Sequence, residues 1–98
     1  MTGGGLTGNI PRVLPPEVQA VLDLGSWPVP DVFRWIEEEG SLPVSEMLGT
    51  FNYGIGMVLI LGKEHVENAT AFLSMIEVEA KVIGEVRRRP KEQAAVVW

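Results

Sequence analysis

The sequence predicts an α+β fold, a mixed sheet of about four strands packed with helices, and three observations carry that class. Val18, Ala20, Leu22 and Leu24 alternate with Gln19, Val21 and Asp23, and Ala80, Val82 and Gly84 alternate with Lys81, Ile83 and Glu85. That is the period of two of an extended chain. A continuous apolar run of strand length, Met57-Val58-Leu59-Ile60-Leu61, lies between them. Val66, Ala69, Leu73 and Ile76 recur at helical spacing over Lys63 to Ile76. With a closing strand from Ala94 to Trp98, four strands are expected.

In chain order, Gly3-Gly4-Gly5 runs into Leu6, Ile10, Val13 and Leu14, whose spacing puts apolar side chains on one side of a short helix. Pro11 is compatible with a helix starting near Thr7 or Gly8, because the first-turn residues donate no intrahelical bond. Pro15-Pro16 stops it, and the strand from Val18 reads as mostly buried on both faces. Gly25-Ser26-Trp27-Pro28-Val29-Pro30 is a turn-rich connection, and Pro30-Asp31 suits a helix start. That helix runs to about Glu39 with Val32, Phe33 and Ile36 inward and Trp35 flanking; Gly40 then ends it as a C′ glycine. Pro43 to Gly49 forms a short helix carrying Val44, Met47 and Leu48 inward. After the helix of Lys63–Ile76, a strand from Ala80 reaches about Arg87, and Arg87-Arg88-Arg89-Pro90-Lys91 reads as a solvated hairpin loop.

The chain has 98 residues, room for one small domain, and its formal charge of −5 argues against a nucleic-acid partner, which needs clustered Lys and Arg. Hydrophobic content of 46% with a mean hydropathy of +0.17 fits a piece of a larger core. No apolar run approaches the roughly 18 residues of a membrane span. The sequence has no cysteine, which rules out disulfides and thiolate metal sites and suits a cytoplasmic location. No signal peptide is evident.

Five features invite a functional reading. The glycine run opening a helix can hold a phosphate or another anion on unpaired backbone N–H groups, or be a plain turn; it lacks the spacing and the lysine of a P-loop. Glu37-Glu38-Glu39 does not converge on a metal, since consecutive helical residues point about 100° apart, so a solvated face is expected. Gly54 and Gly56 precede a strand rather than follow one, which excludes a dinucleotide fingerprint. His65 lies off the apolar stripe and reads as solvated, and Asn68-Ala69-Thr70 in mid-helix is a chance sequon. No local nucleophile–base pair and no metal-ligand spacing is present, so the catalytic residues stay unassigned.

Thr2-Gly3-Gly4-Gly5-Leu6-Thr7 with Asn9-Ile10-Pro11-Arg12-Val13-Leu14-Pro15, Gly25-Ser26-Trp27-Pro28 with Phe33-Arg34-Trp35, and Glu46-Met47 with Thr50-Phe51-Asn52-Tyr53-Gly54-Ile55-Gly56-Met57 follow one another in this order. Together they resemble the phosphoribosylformylglycinamidine cyclo-ligase (aminoimidazole ribonucleotide synthetase) family. The likeness covers nearly the whole chain but only the last part of the family's C-terminal domain, so residues 1–98 are expected to be a partial domain. It implies ATP-dependent closure of formylglycinamidine ribonucleotide to aminoimidazole ribonucleotide in purine biosynthesis. ATP and Mg²⁺ would be held by an N-terminal domain outside this chain, which would also form the homodimer, and the chain alone would be inactive. The resemblance further implies substrate contacts at Thr2, Gly3, Gly4, Gly5 and Asn52, the glycines taking the ribose 5′-phosphate. Two positions depart from the family: Gly8 stands where an acidic residue is common, and Gly49 where a basic one is. The rival expectation is a non-catalytic domain that binds a phosphorylated ligand or pairs with a partner chain.

Overall fold

The computed structural model describes residues 3–98. Its elements run α1 (Gly5–Asn9), β1 (Val18–Leu22), α2 (Asp31–Glu39), α3 (Val44–Thr50), α4 (Val66–Met75), β2 (Gly84–Arg88) and β3 (Val96–Val97), with 3₁₀ turns at Ile10–Val13 and Lys63–His65. The class is α+β and the sheet is mixed. It has three strands rather than four, in the order β2-β1-β3. In the antiparallel β1–β2 pair Ala20 faces Val86, and in the parallel β1–β3 pair Ala20 faces Val96.

The expected strand that does not form is Met57–Leu61. Among the described residues no strand pairs with this run, and Met57 is 80% exposed, with Leu59, Ile60 and Leu61 also open to solvent. Strand propensity expresses fit to a pleated, half-buried surface, and without a neighbouring ladder an apolar, β-branched run stays irregular. The opening helix begins two or three residues earlier than expected, at Gly5, and tightens after Asn9 into a 3₁₀ turn that takes Pro11 in its first turn. Pro lacks the N–H that the next α-helical bond needs, and a short 3₁₀ piece absorbs this.

In α2 the inward stripe is Phe33, Ile36 and Glu37, while Val32 is 55% exposed, contrary to expectation. The helix is turned so that Phe33 meets the rings of Phe51 and Tyr53, at centroid distances of 5.7 and 6.1 Å, and Val32 falls to the side of that contact. Its C-terminus closes with a Schellman pair, Ser41 N–H to the Glu38 carbonyl and Leu42 N–H to the Glu37 carbonyl. The left-handed residue is therefore Ser41 (φ 49°) and not Gly40, which is right-handed at φ −86°. At Gly40 a Cβ would crowd the Leu42 side chain and the Ile36 carbonyl, which would have to give by a few tenths of an ångström.

The core gathers Leu6, Ile10, Ala20, Leu22, Trp27, Met47, Leu48, Tyr53 and Val96. Both α1 and β1 are anchored in it, as is α3 through Met47 and Leu48. Helix α4 is not: Val66, Ala69 and Leu73 are only half-buried, and Phe72, Met75 and Ile76 are exposed. Arg87 and Arg88 lie in β2 rather than in a solvated loop. Arg87 Nε donates to the fully buried Gln19 Oε1 at 2.8 Å, an acceptor 68 positions away that draws the run into the sheet, and Arg89 Nε donates locally to the Gln93 carbonyl at 2.7 Å. No helix among the described residues is long and apolar enough to cross a membrane.

Candidate functional site

Gly4 and Gly5 both take left-handed backbone, at φ 102° and 59°, which L side chains adopt only with strain. The intrahelical bonds of α1 begin with Gly8 N–H to the Gly4 carbonyl at 2.9 Å. The N–H groups of Gly5, Leu6 and Thr7 therefore have no acceptor inside the helix. Gly5 is buried, and a Cβ on it would collide with the carbonyl oxygens of Leu48 and Phe51. Its bare Cα is thus the seat on which the end of α3 rests. Gly3 and Gly4 are exposed beside it, and nothing lies within 4 Å of a Cβ built on Gly3. Thr2 lies outside the described residues.

Two side chains fix this junction. Asn9 Nδ2 donates to the Gly5 carbonyl at 2.7 Å and to the Gly3 carbonyl at 3.2 Å, lacing the glycine loop to the helix it opens. Thr7 Oγ1 donates to the Leu48 carbonyl at 3.3 Å, tying the same helix to α3. Gly49 sits here too: a Cβ on it would meet Thr7 Oγ1 at 3.4 Å, an ordinary contact. Gly8 faces open space, so the structure would accept larger residues at both positions. Neither Asn9 nor Thr7 is singled out by sequence reading, since their partners are backbone carbonyls that no side-chain motif reveals.

The second half of the site is the turn after α3. Asn52 is half-buried; its Oδ1 accepts from Gly54 N–H at 2.9 Å and its carbonyl from Ile55 N–H at 2.9 Å, so it shapes the turn. Tyr53 follows with left-handed backbone, φ 55°, and is held there from three sides. Its carbonyl accepts from Trp27 Nε1 at 3.1 Å, its hydroxyl donates to Glu37 Oε1, and Arg34 Nη1 donates to that hydroxyl at 3.2 Å. Burial and then the Glu37 contact push the Tyr53 hydroxyl above its ordinary pKa, against a smaller opposing pull from Arg34. Gly54 packs on Pro30, whose ring occupies the space a Cβ would need. Glu37 therefore leaves the solvated face expected for it, while Glu38 and Glu39 remain there.

The structure thus brings Gly5 directly against residues 48–51, one residue short of Asn52, so two sequence-distant loops meet at one place. A cleft of about 190 Å³ runs alongside, between Asn9, Ile10 and Val13 and the segment Gly56, Met57, Val58 and Ile60. Among the described residues no group of three or more His, Asp or Glu is placed to hold a metal ion. His65 is exposed beside Glu64, at 3.5 Å.

Comparison with known proteins gives one consistent result. A family model described as AIR synthase related protein, C-terminal domain, matches residues 1–97. The phosphoribosylformylglycinamidine cyclo-ligase of Coxiella burnetii (strain RSA 331 / Henzerling II) is 43% identical over 96 residues, covering 98% of this chain and 27% of that protein. Proteins of the same name from Lawsonia intracellularis and Chromobacterium violaceum are 47% and 46% identical over 89 residues, each match covering 91% of this chain and 26% of theirs. The chain therefore spans about a quarter of the length of the curated relatives it matches.

Proposed function

The chain belongs to the AIR synthase related protein C-terminal domain family, and from that premise we propose that it supplies the substrate side of a phosphoribosylformylglycinamidine cyclo-ligase. In that reading it works in the cytoplasm as part of an ATP-dependent ring closure of formylglycinamidine ribonucleotide in purine biosynthesis. The observation that carries the reading is the seat of Gly5 against the Leu48 and Phe51 carbonyls, which brings the exposed Gly3–Gly4 backbone beside the Asn52 turn. Glycines let a ligand approach the main chain closely, and the exposed backbone of Gly3 and Gly4, at the opening of the helix, would receive the ribose 5′-phosphate; Thr2 and Asn52 would flank it. Protein assistance to a ring closure is largely positioning and charge stabilisation, which such a backbone rim provides.

The residues described do not fit ATP or Mg²⁺, because the glycine loop carries no lysine and no acidic cluster converges. No step is therefore routed through them, and the nucleotide, its metal and the homodimer contact belong to the remainder of the family protein.

The test replaces the matching segment of the Coxiella burnetii cyclo-ligase with this chain. The chimera should close the ring, whereas the 98-residue chain alone should not turn over ATP. Gly3→Val in the chimera should raise the KM for the amidine ribonucleotide several-fold and leave that for ATP unchanged. Gly3 is the right probe because a side chain there meets nothing in the fold, whereas Gly4 and Gly5 are bound to left-handed backbone. A folded but inactive chimera would mark the chain as a non-catalytic binding domain, and loss of ATP affinity in Gly3→Val would assign the loop to the nucleotide.

A further inference from the structure

Asn52-Tyr53-Gly54-Ile55 closes with Ile55 N–H on the Asn52 carbonyl at 2.9 Å, and both central residues have positive φ, 55° at Tyr53 and 97° at Gly54. That is the pattern of a type I′ turn, whose central positions ordinarily hold asparagine, aspartate or glycine. Gly54 conforms and Tyr53 does not. A bulky L-residue stays in such a conformation only where its surroundings over-determine it, and strain of this kind gathers where a site must be held in one geometry.

The surroundings of Tyr53 are specific. The residue is 2% exposed, and its hydroxyl donates to Glu37 and accepts from Arg34. Arg34 and Glu37 stand one turn apart on α2, a spacing at which opposite charges ordinarily pair with each other. Among the described residues they form no ion pair; each ends on the phenol instead. The Arg34 guanidinium also lies 5.7 Å from the centre of the Tyr53 ring. Trp27 Nε1 donates to the Tyr53 carbonyl, so the main chain and side chain of this one strained residue are fastened to different segments.

What the fastening holds is Asn52. Gly54 N–H donates to Asn52 Oδ1, which fixes the orientation of the amide, and Asn52 Nδ2 bonds to no described residue. The side chain can therefore offer a ligand a donor and no acceptor, the complement of a phosphate oxygen. The preceding Phe51 carbonyl rests against Gly5, which keeps the turn beside the glycine loop.

We propose that Tyr53, clamped by Glu37 and Arg34, is a positioning residue for the amidine ribonucleotide: it holds the turn on which Asn52 Nδ2 donates to an oxygen of the substrate's phosphate. The inference rests on the cyclo-ligase reading and adds to it the residues that set the geometry of the Asn52 turn.

The test uses the Coxiella burnetii chimera. Asn52→Asp keeps the oxygen that accepts from Gly54 N–H but replaces the donor with an anionic acceptor, so it should raise the KM for the amidine ribonucleotide tenfold or more with the Tm near that of the parent. Tyr53→Phe and Glu37→Ala should each raise the same KM several-fold and leave that for ATP unchanged. Their double variant should be no worse than either, because both break one contact. Glu37→Gln keeps an acceptor for the hydroxyl and should stay near the parent. Ile36→Val, elsewhere on α2, should lower the Tm and leave KM alone. If Tyr53→Phe and Glu37→Ala behave like Ile36→Val, or if Asn52→Asp leaves KM unchanged, the proposal is overturned. Should Tyr53→Phe fail to fold, Glu37→Ala decides, as Glu37 is only half-buried. Gly3→Val, measured alongside, separates the two readings: if it raises the substrate KM while Tyr53→Phe does not, only the clamp is wrong. If it too has no effect, or the chimera is inactive, the substrate-side reading fails and the clamp falls with it.

Discussion

Tyr53 occupies a backbone region that a bulky L-residue enters only under strain, of order 1–3 kcal/mol. Its contacts with Trp27, Glu37 and Arg34 hold it there, and none of the three is foreseeable from the turn sequence. Glu37 sits in a run of three glutamates that reads as a solvated face, and two of the three do remain solvated. What distinguishes Glu37 is a phenol 16 positions away, and only the folded chain brings it near. The raised pKa of the Tyr53 hydroxyl gives this contact a pH signature. Its folded value lies above the unfolded value of about 10, so its contribution to stability is fully present below pH 10. That contribution falls away as pH rises through the folded value. Tyr53→Phe should lower stability by about 1 kcal/mol at neutral pH, and should flatten the loss of stability as pH rises above about 10 relative to the parent. Urea unfolding of both proteins across that range tests it; parallel curves would show that the hydroxyl does not titrate with folding.

At the scale of elements, α3 and α4 are both legible as helices from apolar spacing, with boundaries correct to within a few residues. They differ in what covers them, which spacing does not encode. Leu48 in α3 is fully buried between α1 and the core, so Leu48→Ala should destabilise by about 2–5 kcal/mol. Phe72 in α4 is exposed, and Phe72→Ser should change stability by no more than about 0.5 kcal/mol. Thermal denaturation of the pair distinguishes them; a large loss in Phe72→Ser would mean α4 is covered. Met57–Leu61 makes the same point for strands. Its composition is that of a buried strand, but pairing is a property of the neighbour.

For the molecule as a whole, the class, the order of helices and the family were readable from the sequence, because they rest on local periodicity and on blocks of residues in series. For the candidate site, the sequence marks the glycine loop and the Asn52 turn as parts of one cleft, but not the contact that joins them. That meeting depends on the missing Cβ of Gly5 and on carbonyls some 40 residues further on. The sheet is the least local part of all. Gln19 is its hub, fully buried, donating to the Ala94 carbonyl and to Gln93 while accepting from Arg87. This wiring sets a timetable. Each partner of Gln19 lies 68 to 75 positions away along the chain, so the search that closes these contacts is long, while α2, α3 and the turn at Tyr53 can assemble over short spans. Pulse-labelled hydrogen exchange during refolding should therefore find amides of α3 protected before those of β1. Gln19→Ala should hasten unfolding far more than it slows refolding. The last contact made as the chain folds is then the first released as it opens, and Gln19 is the latch.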